Sequence, residues 1–129
     1  MIDEYDEEAA ASGWLGPEIA FGPAGKRVHP SQSLLDIGIG TGLGSLPFRT
    51  AGLRVFGMDV AAEMLAVCRR KGFGDLTRHA LTHVPYPYDS ESMDHALCLG
   101  VLDFFRDLSP VFRESARIIR KGGLFLFTV

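Results

Sequence analysis

The sequence has little cysteine. Cys68 and Cys98 are the two in 129 residues, both inside apolar segments and not in a Cys-x-x-Cys pair. That excludes a disulfide framework and predicts two reduced, buried thiols in a cytoplasmic protein. Basic residues are not in excess either: 13 Lys and Arg against 16 Asp and Glu leave a net charge of −3, which weighs against a nucleic-acid surface. No run approaches the ~18 apolar residues that a membrane span needs, so no membrane partner is expected. The first 30 residues show no basic stretch followed by an apolar one, the pattern of a secretory leader. His79 and His83 stand four apart, but no third ligand and no His-Glu-x-x-His pattern joins them, so no metal is expected.

What is present is ordinary for a globular chain: 47% apolar and 22% charged residues. The length suits one domain burying roughly two-thirds of its unfolded surface. Residues 1–32 read as an N-terminal arm with short helices lying over a pocket. Its acidic opening reads as a solvated face, and Tyr5 and Trp14 as ordinary packing of the arm. Pro23, Gly25 and Pro30 then break the chain. From residue 33 strands and helices alternate. SLLDI (33–37), LRVFGMD (53–59), DLTRHA (75–80), MDHALCLG (93–100) and LFLFTV (124–129) read as strands. Helices are predicted over 42–52, over 61–71, and from Ser109 to Lys121 with Ser109 as N-cap and Gly122 at C′. Pro47 predicts a late start or a bend in the first. Near-continuously apolar strands alternating with helices predict a parallel sheet covered on both faces, a doubly wound α/β fold.

The chemistry centres on LLDIGIGTGLG (34–44), with four glycines in the seven positions from Gly38. Gly38, Gly40, Thr41 and Gly42 leave a strand and enter a helix, where glycines let backbone approach a ligand closely. No Lys-Ser/Thr pair closes the loop, so a nucleoside triphosphate does not fit. A dinucleotide would need a glycine where Leu43 or Ser45 stands, and Asp36 would repel its pyrophosphate. Two unit charges at 4 Å are worth ~1 kcal/mol in water and ~4 kcal/mol at an effective dielectric of 20. A cationic ligand reverses that sign. Asp59, 21 residues after Gly38 at the end of the second strand, suits a pair of ribose hydroxyls. His95, near the start of the fourth strand, reads as structural.

These segments resemble the class I S-adenosylmethionine-dependent methyltransferases of the small-molecule, single-domain type. LLDIGIGTG is similar to their first motif, and VFGMDVAAEML to their second, with Asp59 the ribose acid. HALTHVPY (79–86) resembles the adenine-lining segment, SMDHALCLGVLDFF (92–105) the fourth strand and its turn, and LSPVFRESARIIRKGGLFLF (108–127) the last helix and fifth strand. The resemblance covers residues 33–129. It implies a Rossmann-like fold, S-adenosylmethionine as cofactor and in-line methyl transfer to a small-molecule acceptor. It also implies a cofactor site of Asp36, Gly38, Gly40, Thr41, Gly42, Asp59, Val60, Met64, His79, Ala80, Leu99 and Gly100.

The chain departs from the family in four places. His79 replaces the aspartate that meets the adenine amino group, and Ala61 replaces a helix-capping serine. Asp103 and Phe104 stand where a histidine pair is common, which makes Asp103 a candidate base or orienting group for the acceptor. The family's sixth and seventh strands have no counterpart in this sequence, so the fifth strand is expected to leave an open edge suited to a homodimer. Two alternatives remain open at this point. One is a non-catalytic module that binds the cofactor or a partner. The other is an NAD-dependent oxidoreductase domain, which Asp36 and Leu43 oppose.

Overall fold

The computed structural model describes residues 26–102 and 105–128. Residues 1–25, with Tyr5 and Trp14, lie outside the described residues, as do Asp103 and Phe104. The elements are β1 (Ser33–Ile37), α1 (Leu46–Thr50), β2 (Arg54–Asp59), α2 (Ala62–Arg70), β3 (Asp75–Arg78), β4 (His95–Cys98), α3 (Ser109–Ile118) and β5 (Phe125–Phe127). The five strands form one parallel sheet in the order β3-β2-β1-β4-β5, as the alternating pattern predicts.

β1 is the middle strand, and its neighbours bury it on both faces. Side chains alternate along it, so Leu34 and Asp36 share one face and Leu35 and Ile37 the other. The first face packs Leu34, Val55 and Leu97 against Phe48 of α1 and Leu65 and Cys68 of α2. The second packs Leu35, Ile37, Met58, Ala96 and Cys98 against Val111 and Ile118 of α3. Both cysteines are free and buried, as their apolar settings predict, and burial pushes the Cys98 thiol up to about 12. Among the described residues, no helix is long and apolar enough to cross a membrane.

The helices are shorter than the sequence pattern predicts. α1 occupies five residues of the expected eleven, with Pro47 at its first positions. Proline donates no backbone hydrogen bond, so the chain upstream stays in turns and the helix begins at its edge. In α3, Ser109 lies inside the helix rather than at its N-cap, and the Oδ1 of Asp107 accepts the Ser109 N–H at 3.0 Å. That helix stops at Ile118, short of the expected Lys121. Ile119 turns extended to bridge Met93, and Arg120 N–H donates to the Met93 carbonyl at 2.9 Å. Pairing to the sheet here wins over helix continuation.

Two polar clamps close the underside and one flank. Asp94 accepts from the Ser33 N–H at 2.8 Å and from Arg120 Nε at 2.6 Å, joining the starts of β1 and β4. His95 is held from both sides: its Nδ1 accepts the Leu124 N–H at 3.1 Å, so Nε2 carries the proton donated to Gln32 at 2.7 Å. That arrangement is structural, and burial lowers the His95 pKa. On the flank, the buried Glu114 accepts the Tyr86 N–H at 2.6 Å and pairs with Arg117 at 2.8 Å. Arg117 also donates to the Tyr86 and Tyr88 carbonyls, at 3.2 and 2.8 Å.

Removing Arg117 leaves the Glu114 carboxylate buried with a single donor. Arg117→Ala is expected to lower the unfolding free energy by about 3 kcal/mol in urea titrations, a cost typical of a buried pair stripped of one partner. Arg117→Lys should recover only part of it, since one ammonium cannot serve two carbonyls and a carboxylate in one plane.

Candidate cofactor site

The sheet's order reverses between β1 and β4, and at such a switch point a doubly wound sheet opens a crevice beyond its strands' carboxyl ends. A cavity of about 230 Å³ lies there. Its floor and one wall come from the loop after β1, which two hydrogen bonds lash to β2. The Gly38 and Ile39 N–H groups both donate to the Met58 carbonyl, at 2.8 and 3.0 Å.

Gly38 and Gly40 hold φ angles of +71° and +58°, where a side chain is strained. Their surroundings differ. A Cβ on Gly38 would come within 2.9 Å of Val101, so that glycine permits a close approach of two loops. A Cβ on Gly40 would meet nothing within 4 Å and would project into open space on the cavity wall. Gly57, in the middle of β2, was not singled out by the sequence pattern. Its missing side chain makes room for Ile39, whose Cδ1 would stand 2.6 Å from a Cβ there.

Asp59 holds the crevice together. Its Oδ2 accepts the Gly40 N–H at 2.8 Å, and its Oδ1 accepts the Ala61 N–H at 2.9 Å. The second bond fixes the backbone at the α2 entrance, where the N-cap Ala61 has no side-chain acceptor for the first turn. From α2, the Cys68 thiol donates to the Gly40 carbonyl at 3.1 Å, so both backbone polar groups of Gly40 are tied down.

Asp36 lies deeper in the cavity wall, 3% exposed. Burial pushes its carboxyl up to about 7; the Ser45 hydroxyl pulls the other way, and the charge of Asp59 adds to the rise. The lining therefore carries two acids and no lysine, arginine or histidine. A cation is favoured there and a pyrophosphate is opposed.

Of the residues expected at the site, the cavity gathers Asp36, Gly38, Gly40, Thr41, Asp59, Met64, Leu99 and Gly100. Gly42 is outside the lining and backs onto the Phe73 ring, 2.6 Å from where its Cβ would stand. Val60 is exposed, and His79 and Ala80 follow β3 outside the lining. Ile39, Leu43, Gly44 and Val101 complete the wall and were not expected. Sequence spacing held a signal for Leu43 and Gly44, which continue the glycine loop, but none for Val101.

His79 lies close to the site through its backbone. Its N–H donates to the Asp59 carbonyl at 2.9 Å. Its ring nitrogen Nε2 is 2.7 Å from the His83 carbonyl, which can only accept, so Nε2 carries a proton. In the neutral ring, Nδ1 is then a hydrogen-bond acceptor. Among the described residues, no group of three or more His, Cys, Asp or Glu could hold a metal ion.

A family model described as a methyltransferase domain matches residues 35–127, which span the glycine loop, both acids and all five strands. The chain belongs to the class I S-adenosylmethionine-dependent methyltransferases. It is 35% identical over 106 residues to a malonyl-[acyl-carrier protein] O-methyltransferase of Serratia marcescens, covering 78% of this chain and 39% of that protein. It is 27% identical to a ubiquinone biosynthesis O-methyltransferase of Cronobacter sakazakii, covering 94% of this chain and 57% of that one. Among solved structures, a methyltransferase of Haloferax volcanii in complex with the Trm112 methyltransferase activator superposes with a TM-score of 0.78 at 26% identity, over 95% of this chain and 55% of that one. The chain thus spans only about two-fifths to three-fifths of the relatives it matches. The family match and the acids together leave the NAD-dependent oxidoreductase alternative without support.

The buried acid makes a pH prediction that needs no ligand. Between pH 3.8 and about 7 the folded Asp36 keeps a proton that the unfolded chain releases, so stability falls as pH rises through that window. Asp36→Asn is expected to lose this component of the slope and to be the more stable protein above pH 7, by roughly 4 kcal/mol at most. Urea titrations of both proteins at pH 5 and pH 8 measure the difference.

Proposed function

We propose that the crevice binds S-adenosylmethionine and that the chain carries out methyl transfer to a small-molecule acceptor. The observation that carries this reading is the charge of the lining: two carboxylates, one of them buried, beside a bare backbone loop and no cationic side chain. The ligand bears an ammonium and a sulfonium and lacks phosphate, so its charge suits that lining where a dinucleotide's does not. The open space beyond Gly40 is the cradle such a ligand requires.

Asp59 has lone pairs left after serving Gly40 and Ala61, and these suit the two ribose hydroxyls. Asp36 would face the cationic methionine portion. Thr41, Met64, Leu99 and Gly100 would flank it, while Gly42 and Val60 support the loops on either side. His79 and Ala80 would meet the adenine, with Nδ1 of His79 accepting from the amino group in place of an aspartate. The cofactor supplies an electrophilic methyl on sulfur. The protein's part is to hold the acceptor in line and exclude water. Asp103 is kept as the candidate to orient that acceptor.

The acceptor class rests on the acidic balance of the chain and on relatives whose names point to carrier-bound and quinone-precursor acceptors. Homodimer formation is a secondary reading. β5 is a sheet edge, and Phe127 there is 45% exposed. Light scattering at micromolar concentration checks it, and a monomer would overturn it. A non-catalytic cofactor-binding module is the alternative, and it predicts binding without turnover on any acceptor.

Calorimetric titration tests the cofactor reading. S-adenosylhomocysteine is expected to bind at micromolar concentrations and NADH not to bind, with Asp59→Ala losing at least tenfold in affinity. Gly40→Ala should weaken binding by a similar factor while costing about 1–2 kcal/mol of stability for its left-handed backbone. No binding of S-adenosylhomocysteine to the unmutated chain would overturn the reading.

Protonation supplies a separate check. A cation beside Asp36 favours the ionised carboxyl, so cofactor binding should release a proton and strengthen about tenfold from pH 6 to pH 8. Asp36→Asn should bind more weakly and lose this dependence.

A further inference from the structure

The wall opposite the glycine loop consists of Leu99, Gly100 and Val101, which leave the sheet where β4 ends at Cys98. No helix or strand contains these three residues. Yet they approach the loop closely. Leu99 Cδ1 stands 3.1 Å from where a Cβ on Gly44 would be, and Val101 Cγ2 stands 2.9 Å from the same point on Gly38. The width of the crevice is therefore set by how this short segment is held.

Gly100 is the point at which it turns, with φ at +68°. A turn of that kind carries the Gly100 N–H out of the parallel ladder. Thr128, just past β5, takes over. Its own N–H donates to the Cys98 carbonyl at 3.1 Å, continuing the β4–β5 ladder by one step. Its side-chain hydroxyl then accepts the Gly100 N–H at 2.7 Å. One residue makes both bonds, so the wall is registered to the sheet through Thr128.

We infer that Thr128 is a positioning residue for the cofactor crevice: its Oγ1, by accepting the Gly100 N–H, fixes the Leu99–Val101 wall against the glycine loop. The inference rests on the crevice being the cofactor site. Thr128 itself is not among the residues lining the cavity, so its effect passes through Gly100. Threonine and serine both provide this acceptor, whereas valine keeps the shape and removes it. A position needed only for β-branched packing would rank the three the other way, with valine equivalent to threonine and serine worse.

The test uses the full chain as Thr128, Thr128→Val and Thr128→Ser, with two readouts. The first is calorimetric affinity for S-adenosylhomocysteine. Thr128→Val is expected to lose about tenfold, and Thr128→Ser to stay within threefold of the parent. The second is amide hydrogen exchange without ligand. Thr128→Val should speed exchange at Gly100 by tenfold or more while leaving the amides of β1 and β2 unchanged, and Thr128→Ser should retain the protection. Equal affinity of the valine variant and the parent, or failure of serine to rescue, overturns the inference. If the parent does not bind S-adenosylhomocysteine, the cofactor reading fails, and positioning of a cofactor fails with it. The exchange data then decide separately whether Thr128 pins the wall.

Discussion

The carboxylate of Asp59 is the joint on which the crevice depends. It sits at the end of β2 and takes one N–H from the glycine loop after β1 and one from the entrance of α2. Each of these two segments offers a backbone N–H that lies outside the strand and helix ladders. One side chain meets both needs. The Cys68 thiol closes the circuit from α2 back to the Gly40 carbonyl, so both backbone polar groups of Gly40 are engaged. The loop is therefore rigid where a ligand would meet it, and binding need not bear the entropy of ordering it.

Asp36 occupies the same cavity on opposite terms. Asp59 is half-buried and accepts one hydrogen bond at each oxygen, whereas Asp36 is buried in a strand, flanked by Leu35 and Ile37. Keeping an acid there costs stability at neutral pH. A chain that selected only for a stable sheet would place an apolar residue at the position. The retained cost points to a ligand, and the sign of the field selects a cationic one. Its two neighbours in the sheet, Gly57 and Leu97, offer no countercharge. Below about pH 7 it is neutralised by a proton, and above that a cation entering the crevice can take the proton's place.

Most of the sheet was legible in the sequence, because central parallel strands are apolar on both faces and end at glycines or acids. SLLDI and RVFGMD show this plainly. The helices were less legible. Pro47 declared that α1 starts late but not that it keeps only five residues, and the end of α3 depends on Met93, which is 25 residues upstream of Ile118. Capping was misread for a local reason. Asp107 and Ser109 can each cap, and only the backbone path decides between them. At the site, residues adjacent to the glycine motif could be anticipated, while Gly57 and Val101 could not. Gly57 matters through Ile39 and Val101 through Gly38, contacts made in space and not along the chain.

The crevice is assembled from three strand exits that differ in what holds them. The β1 exit is bound to β2 by two backbone hydrogen bonds and the Asp59 carboxylate. The β2 exit passes directly into α2. The β4 exit, Leu99–Val101, lies in no helix or strand, and its described anchor to β5 beyond the ladder is a hydroxyl. A neutral hydrogen bond is worth roughly half of a charge-assisted one. The glycine loop is thus the more strongly held wall, and the Leu99–Val101 segment the wall that depends on a single neutral bond. Loss of that one bond would therefore loosen the Leu99–Val101 wall while leaving the Asp59-held loop in place.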